Sequence, residues 1–161
     1  MSENNSISML RLTEERKKWR KDHPIGFVAK PRRKPDGSMD MFTWDCFIPG
    51  VSGTAWENGL YPLSMVFPPS YPSQAPKCKF PAGFYHPNVY PSGNVCLDII
   101  GDHWKPSITI KQVLLGIQEL LNDPNDLSPA QHEAYKDHQN KKQVYEQNVK
   151  KQALKYKPKD E

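Results

Sequence analysis

Two hydrophobic periods divide the 161-residue chain into helical and strand-like parts. The strongest helical repeat follows Thr109, which is placed to cap a helix. Its apolar positions keep strict helical spacing: Ile110, Val113, Leu114, Ile117, Leu120 and Leu121. An earlier helix is predicted from about 6 to 21, with these apolar residues near one face: Met9, Leu12 and Trp19. Two more helices are predicted at about 131–139 and 142–156.

Between the first helix and the long repeat, short segments alternate with a period of two, as strands do. These segments read FVAK, MFTWDCFI, YPLSMVF and KCKF, and turns such as Pro35-Asp36-Gly37 separate them. In the longest, one face carries Phe42, Trp44, Cys46 and Ile48. The pattern predicts a four-stranded antiparallel meander inside one α+β domain spanning 1–161, with a core at about 6–157.

The segment 71–108 shows no sustained period and is rich in proline. Its aromatic residues argue against disorder, so we expect an ordered loop with a functional role. They are Phe80, Phe84, Tyr85, Tyr90 and Trp104. Because tight, proline-rich turns favour cis bonds, a cis Tyr71-Pro72 peptide is also expected.

Composition narrows the class of protein. Hydrophobic residues make up 37% of the chain, and no apolar run reaches the length of a membrane span. The N-terminal segment lacks a secretory pattern, and three cysteines cannot form a complete disulfide framework, which favours a reducing compartment, cytosol or nucleus. Basic residues concentrate in 11–34, where ten Arg or Lys face three acidic residues. This pattern fits a solvated face or a docking surface for an acidic partner, and no nucleic-acid signature accompanies it.

The three cysteines lie in different settings. Cys46 and Cys78 fall inside strand patterns and are predicted to be small buried hydrophobes. Cys96 follows a turn in the long loop, where functional residues concentrate. A nucleophile and ordinary packing both fit it, since spacing alone cannot show whether His86 or His103 serves as its base. No metal site is predicted, because the cysteines and histidines lack paired-ligand spacing.

The loop resembles the ubiquitin-conjugating enzyme superfamily, whose hallmark is His-Pro-Asn shortly before an active cysteine. Here the tripeptide is His86-Pro87-Asn88 and the cysteine is Cys96. The likeness covers about residues 10–157. Within the superfamily, ERKKWRKDHPIGFVAK, KFPAGFYHPNVYPSG and ITIKQVLLGIQELL are most similar to the branch that conjugates SUMO.

The resemblance implies that Cys96 accepts SUMO as a thioester from the activating enzyme and passes it to a target lysine. It assigns Asn88 as the donor to the oxyanion; the alternative is that Asn88 braces the loop. A slot for the lysine would comprise Tyr90, Ser128 and the segment Pro129-Ala130-Gln131. No cofactor is implied, because ATP is used upstream by the activating enzyme.

The resemblance also implies how targets are read. They carry an apolar residue before the lysine and an acidic residue two positions after it. Residues implied to contact the acidic one are Lys77, Lys79, Ser92 and Asn94. Tyr135 and the Pro129-Ala130 edge would lie near the lysine. For Lys77 and Lys79 a solvated strand face is the alternative.

A second surface is implied near the first helix. It would bind SUMO non-covalently and contact the activating enzyme, and its residues are Arg16, Lys17, Arg20 and His23. The resemblance further implies SUMO ligases as partners, a monomer, and residence in nucleus and cytoplasm.

Some positions depart from the SUMO branch. Ser128 stands where an aspartate is common. A serine carries no charge that could lower the lysine pKa, and Asp126 is close enough in sequence to serve as a substitute carboxylate. Asp98 and Asn94 replace a serine and a threonine. The run from Cys96 to Trp104 is shorter than usual there, as in ubiquitin-type enzymes. A ubiquitin-conjugating enzyme and a non-catalytic scaffold binding SUMO or ubiquitin are therefore kept as alternatives.

Overall fold

A computed structural model describes residues 3–159 and confirms the predicted α+β architecture. Residues 1, 2, 160 and 161 of the predicted domain lie outside the described residues. In chain order the elements are α1 (Glu3–Lys21), β1 (Val28–Arg33), β2 (Met39–Pro49), β3 (Leu60–Val66), β4 (Lys77–Lys79), a 3-10 turn (Asp98–Ile100), α2 (Ile110–Asn122), α3 (His132–Asn140) and α4 (Lys142–Lys155). The strands form one sheet in the order β1-β2-β3-β4, and all neighbours are antiparallel. Within 3–159, no helix combines the length and apolar character of a membrane span.

The inner face of the sheet packs against α2. Trp44, Cys46 and Ile48 of β2 are buried, and Phe42 packs against the same core, as their alternation predicts. All six apolar residues of the helical repeat in α2 are buried. Thr109 caps α2 as predicted: its Oγ1 accepts from the backbone N–H of Gln112, whose Oε1 accepts from Thr109 N–H in return. This reciprocal cap fixes where α2 begins.

The buried face of α1 differs from the predicted one. Met9 is 39% exposed, whereas Ser8 and Glu15 are buried together with Leu12 and Trp19. The spacing from Ser8 to Trp19 is still helical, but half of the stripe is polar. An apolar pattern alone therefore places the helix correctly and misplaces its contact face.

Glu15 is buried because its carboxylate joins three parts of the fold. Its Oε2 accepts from the Tyr71 hydroxyl and from the backbone N–H of Ile110, each at 3.0 Å. Arg11 lies beside it and donates to the carbonyl oxygens of Pro106 and Ile108. A buried charge tolerates burial only with such partners. The contacts anchor both ends of the long loop to α1.

The long loop is ordered, as expected. The Tyr71-Pro72 bond is cis, which confirms the prediction. The Trp104 indole N–H donates to the Pro72 carbonyl at 2.9 Å, and the rings of Phe80 and Phe84 stack with centroids 4.1 Å apart. Aromatic packing of this kind holds the loop in place without regular secondary structure.

Candidate active site

Cys96 differs from the other two cysteines in its exposure. Cys46 and Cys78 are buried, as predicted, and burial raises the pKa of both thiols, that of Cys78 to about 12. The side chain of Cys96 is half-buried and reaches solvent. Because a thiol must be accessible to attack a thioester, Cys96 is the cysteine suited to covalent chemistry.

The backbone around Cys96 lies between two flanks. On one side, Val95 N–H donates to the carbonyl of Cys78 in β4 at 3.0 Å. We call β4 and the turn 92–94 beside it the β4 flank. On the other side, Cys96 N–H donates to the Asn88 carbonyl at 2.9 Å, and the segment 125–131 packs beyond Asn88. We call 125–131 the loop flank.

His86 supports this framework and is not a base for Cys96. It is fully buried, and its Nδ1 accepts from the Asn88 backbone N–H at 3.0 Å. Its Nε2–H donates to the Leu120 carbonyl at 2.8 Å. Burial lowers the His86 pKa to about 4, so the ring is neutral near neutral pH. Both ring nitrogens are occupied, which removes His86 from the candidate bases.

His103 is the other histidine considered as a base. Its side chain is 74% exposed, and its Nδ1 lies 4.0 Å from an Asp98 carboxylate oxygen. Its backbone N–H donates to the Asp98 carbonyl. Its described contacts are therefore with Asp98 and not with Cys96.

Asn88 braces the loop flank with its whole side chain. Its Nδ2 donates to the carbonyls of Asn125 at 2.8 Å and Ser128 at 2.7 Å. Its Oδ1 accepts from Asn125 N–H at 2.8 Å. Both amide hydrogens are thus engaged with the protein. The brace is a structural fact, while donation to an oxyanion stays a prediction and requires one N–H to leave its carbonyl.

Further contacts fix the loop flank against the His-Pro-Asn segment. Ala130 N–H donates to the Pro87 carbonyl at 2.8 Å. The Gln131 Nε2 donates to the carbonyls of Phe84 at 2.7 Å and Val89 at 3.1 Å. Gln131, predicted to contact substrate, therefore uses its amide nitrogen to hold the framework. Pro129 is exposed beside it.

Ser128 belongs to the loop flank, and Tyr90 lies two residues after Asn88 in the chain. Ser128 is half-buried, and its Oγ is 3.4 Å from Asn125 Nδ2. Tyr90 is 45% exposed and sits in a turn in which Gly93 N–H donates to its carbonyl at 2.7 Å. Gly93 has a φ of +101°, and a Cβ there would lie 2.0 Å from the Phe80 carbonyl oxygen. The turn that presents Tyr90 thus requires glycine.

Asp126, proposed as a substitute carboxylate for the lysine slot, contacts helix α3. Its Oδ1 accepts from Gln139 Nε2 of α3 at 2.7 Å. The hydroxyl of Tyr135, predicted to lie near the acceptor lysine, donates to the Asp126 carbonyl at 3.1 Å. Both contacts direct Asp126 toward α3.

The β4 flank presents the residues predicted to recognise acidic targets. Lys77 and Lys79 are exposed on one face of β4, with Cys78 buried between them. Ser92 and Asn94 are exposed in the adjoining turn, where Asn94 Nδ2 donates to Ser92 Oγ at 3.1 Å. Lys79 and Asn94 also pair as an isolated bridge. The four residues therefore form one polar, basic edge.

The predicted SUMO-binding surface lies on the C-terminal half of α1 and the residues after it. Arg16 is half-buried, and Lys17, Arg20 and His23 are exposed. The His23 ring stacks on Trp19 with centroids 5.2 Å apart, and its Nδ1–H donates to the Trp19 carbonyl. The imidazole is thereby held in a defined orientation.

One residue important to the framework was missed from the sequence. Gln152 of α4 accepts from Tyr85 N–H at 2.8 Å and donates to the Tyr85 carbonyl at 3.1 Å. It pairs with the backbone of the residue that precedes His86. A glutamine on a polar helix, 67 positions from its partner, carries no local signal. In the part of the chain that the structure describes, no three His, Cys, Asp or Glu side chains are grouped as a metal would require.

Comparison with known proteins agrees with this arrangement. The family model described as ubiquitin-conjugating enzyme matches residues 11–153. The chain is 54% identical over 154 residues to "SUMO-conjugating enzyme UBC9" of Caenorhabditis elegans, covering 94% of this chain and 93% of the relative. It is also 54% identical to "Sumo-conjugating enzyme ubc9" of Dictyostelium discoideum, over 94% of this chain and 97% of the relative. The chain belongs to the ubiquitin-conjugating enzyme family.

Proposed function

We propose that the chain is a SUMO-conjugating enzyme that carries the modifier on Cys96. The observation that carries this proposal is the 54% identity with two SUMO-conjugating enzymes over nine-tenths of each chain. The accessibility of Cys96, in contrast to the two buried cysteines, supports the choice of nucleophile.

The reaction proceeds in two acyl transfers. First, the Cys96 thiolate attacks the thioester that joins SUMO to the activating enzyme, and the enzyme's cysteine leaves as a thiolate. The amine of a target lysine then attacks the new thioester. Cys96 leaves as a thiolate, the amine loses a proton, and an isopeptide bond remains. The chain itself uses no cofactor, because ATP is spent before SUMO reaches it.

The second step needs help because a lysine amine, with a pKa of about 10.4, is mostly protonated at neutral pH. We place the amine in a slot formed by Tyr90, Ser128 and Pro129-Ala130, with Tyr135 at its edge. The loop flank that contains Ser128 and Ala130 is fixed by Asn88 and by the Pro87 carbonyl. A fixed wall orients the amine and excludes water from it.

Asn88 has two roles in this proposal. It braces Asn125 and Ser128 in the resting enzyme. During transfer, one of its N–H groups turns to the oxyanion that forms at the thioester carbonyl.

Recognition is assigned to charged surfaces. The basic edge of the β4 flank would bind an acidic residue two positions after the target lysine, because opposite charges steer and orient association. The α1 surface of Arg16, Lys17, Arg20 and His23 would bind SUMO and the activating enzyme. We further propose that SUMO ligases act with the chain, that it is a monomer, and that it works in nucleus and cytoplasm.

Ubiquitin conjugation is the second candidate function. The short connection after Cys96 favours it: residues 97–103, which include a 3-10 turn at Asp98–Ile100, separate the cysteine from Trp104. The third reading, a non-catalytic scaffold, is disfavoured by a solvent-accessible Cys96 inside an intact His-Pro-Asn framework.

A charging assay separates these functions. The chain is mixed with purified activating enzymes, ATP and either SUMO or ubiquitin, and adducts are resolved without reductant beside Cys96→Ser. We expect a reductant-sensitive SUMO adduct that ubiquitin does not give and a reductant-resistant or absent adduct for Cys96→Ser. Selective charging with ubiquitin would reject the SUMO assignment, and no adduct with either modifier would support the scaffold.

A further inference from the structure

The loop Asn125–Ser128 has little apolar packing of its own. Leu127 is 91% exposed, and the Asp126 side chain is 57% exposed. Ser128 is half-buried. A segment with so few buried apolar atoms owes its position to polar contacts. These contacts come from two sides.

Asn88 holds one side of this loop, through the carbonyls of Asn125 and Ser128 and the N–H of Asn125. Asp126 and Leu127, in the middle of the loop, receive no bond from Asn88. Leu127 N–H donates only within the loop, to Asn125 Oδ1 at 3.0 Å. The centre of the loop is therefore fixed from elsewhere.

Helix α3 holds the other side, and within the described residues its hydrogen bonds to this loop are both made with Asp126. Gln139 Nε2 donates to the Asp126 Oδ1 at 2.7 Å, and the Tyr135 hydroxyl donates to the Asp126 backbone carbonyl at 3.1 Å. Both the side chain and the backbone of this residue are thus tied to one helix. A short bond to an ionised carboxylate is stronger than a neutral hydrogen bond.

His138 adds a third group next to the carboxylate. Lys142 Nζ donates to His138 Nε2 at 3.1 Å, which places the ring proton on Nδ1. That Nδ1 lies 3.4 Å from Asp126 Oδ1 and makes no hydrogen bond with any described residue. The ring therefore lies next to the carboxylate on the α3 side, which supports the same placement of Asp126.

We propose that Asp126 is a positioning residue for transfer of the modifier to lysine. It acts through the backbone of Asn125–Ser128. In the function proposed above, on which this inference rests, Ser128 and the following Pro129 line the acceptor slot. Asp126 itself does not touch the lysine. Charging of Cys96 does not depend on it, because the backbone of Cys96 is bound to Asn88 and lies next to β4.

The test compares Asp126→Ala with Asp123→Ala. Asp123 is also exposed, and its replacement removes the same charge three positions earlier; its backbone N–H donates to the Glu119 carbonyl. Each variant is charged with SUMO, the activating enzyme is stopped, and discharge onto increasing free lysine is followed. Asp126→Ala should lower the maximal discharge rate about tenfold, because a displaced slot wall disorients the amine. The charging rate and the thermal midpoint of Asp126→Ala should stay at wild-type values. The discharge rate of Asp123→Ala should also match the wild type.

Two further variants separate the hydrogen bond from the charge. Asp126→Asn keeps an oxygen that accepts from Gln139, so it should recover most of the lost rate. Gln139→Ala removes the bond from the α3 side and should slow discharge in the same way. Since both changes break one contact, the combined Asp126→Ala/Gln139→Ala variant should be no slower than Asp126→Ala alone.

Several outcomes would overturn the proposal. One is discharge by Asp126→Ala at the rate of Asp123→Ala; another is an equal loss in charging; a third is an Asp126→Asn variant as slow as Asp126→Ala. Failure of the proposed function looks different, since the wild-type chain would then not be charged with SUMO. If the chain is charged only with ubiquitin, the assignment of SUMO as the modifier is rejected. Discharge of ubiquitin onto lysine then tests Asp126 in the same way. A chain charged with neither would overturn both.

Discussion

The two flanks of Cys96 are held by different kinds of bond. On the β4 flank, backbone pairs with backbone: Val95 N–H donates to the Cys78 carbonyl, and Phe80 N–H to the Gly93 carbonyl. On the loop flank, side-chain amides supply most of the hydrogen bonds: Asn88 and Gln131 donate to carbonyls 37 to 47 positions away. Backbone pairing tolerates most side chains, whereas an amide clamp depends on one residue type.

This difference suggests a division of labour. Apart from the glycine at 93, the β4 flank is held by backbone pairing, so its exposed lysines are free to serve recognition. The loop flank loses its shape when a clamp residue changes, so its substitutions should act on the rate of transfer.

Replacing Asn88 by alanine should have the largest effect. The change removes the proposed oxyanion donor and leaves two carbonyls and one N–H of the loop flank without partners. We expect discharge of the charged enzyme onto free lysine to fall by about 10²–10³. Asn94→Ala, an exposed asparagine on the β4 flank, is the matched control, and discharge by Asn88→Ala at the control rate would contradict the account.

Acidification should weaken the fold through His86. Its pKa is about 4 in the folded protein and about 6.5 in the unfolded chain, so below about 6.5 the unfolded state binds a proton that the folded state does not. As the pH is lowered from about 6.5 to 4, the free energy of unfolding should therefore decrease by roughly 3 kcal/mol. His138, whose pKa is also lowered, mainly by burial, contributes in the same direction.

Urea unfolding at a series of pH values measures this dependence. His86→Gln should be less stable near neutral pH and should lose stability less steeply on acidification. His103→Gln, at an exposed ring, should keep the wild-type slope. An unchanged slope in His86→Gln would show that this ring does not couple the fold to pH.

Reversing the charges of Lys77 and Lys79 should impair recognition alone. For a peptide with an acidic residue two positions after its lysine, we expect a KM about tenfold higher, and the difference should shrink at high salt. Discharge onto free lysine should be unaffected. The double variant Lys30→Glu/Lys34→Glu, at two other exposed lysines, makes the same change in net charge and is the control. Loss of free-lysine discharge in the β4 variant would refute the separation of the flanks.

Ser128→Asp should have the smallest effect. A carboxylate at the slot attracts a protonated amine, but at a half-buried site such an attraction is modest. We expect the KM for free lysine to fall by about threefold with the maximal rate little changed. A higher KM would mean that the slot does not face the incoming amine at Ser128.

The fold was predictable where its determinants are local. The alternation in β2 and the repeat with its cap in α2 identify both elements, because each depends on neighbouring residues. The buried face of α1 was not predictable: Glu15 is buried where Tyr71 and Ile110, 56 and 95 positions away, donate to it. Burial of a polar residue depends on its distant partner.

The same distinction applies to the site. Cys96 and the His-Pro-Asn segment were found through resemblance, and alternation predicted that Cys78 is buried. The contacts of Asp126 with Gln139 and of Tyr85 with Gln152 were not found. Gln139 and Gln152 are polar residues on helices α3 and α4, and only the folded chain shows which polar residues of these helices reach the loop.

The most direct test of the division of labour is one discharge experiment with two acceptors. Wild type, Asn88→Ala, Lys77→Glu/Lys79→Glu and the combined variant are charged with SUMO and discharged onto free lysine and onto the acidic peptide. Asn88→Ala should slow discharge onto both acceptors by the same factor. The β4 variant should slow discharge onto the peptide alone. In the combined variant the factors should multiply, because the flanks act independently. A β4 variant that slows free lysine, or factors that do not multiply, would contradict the account.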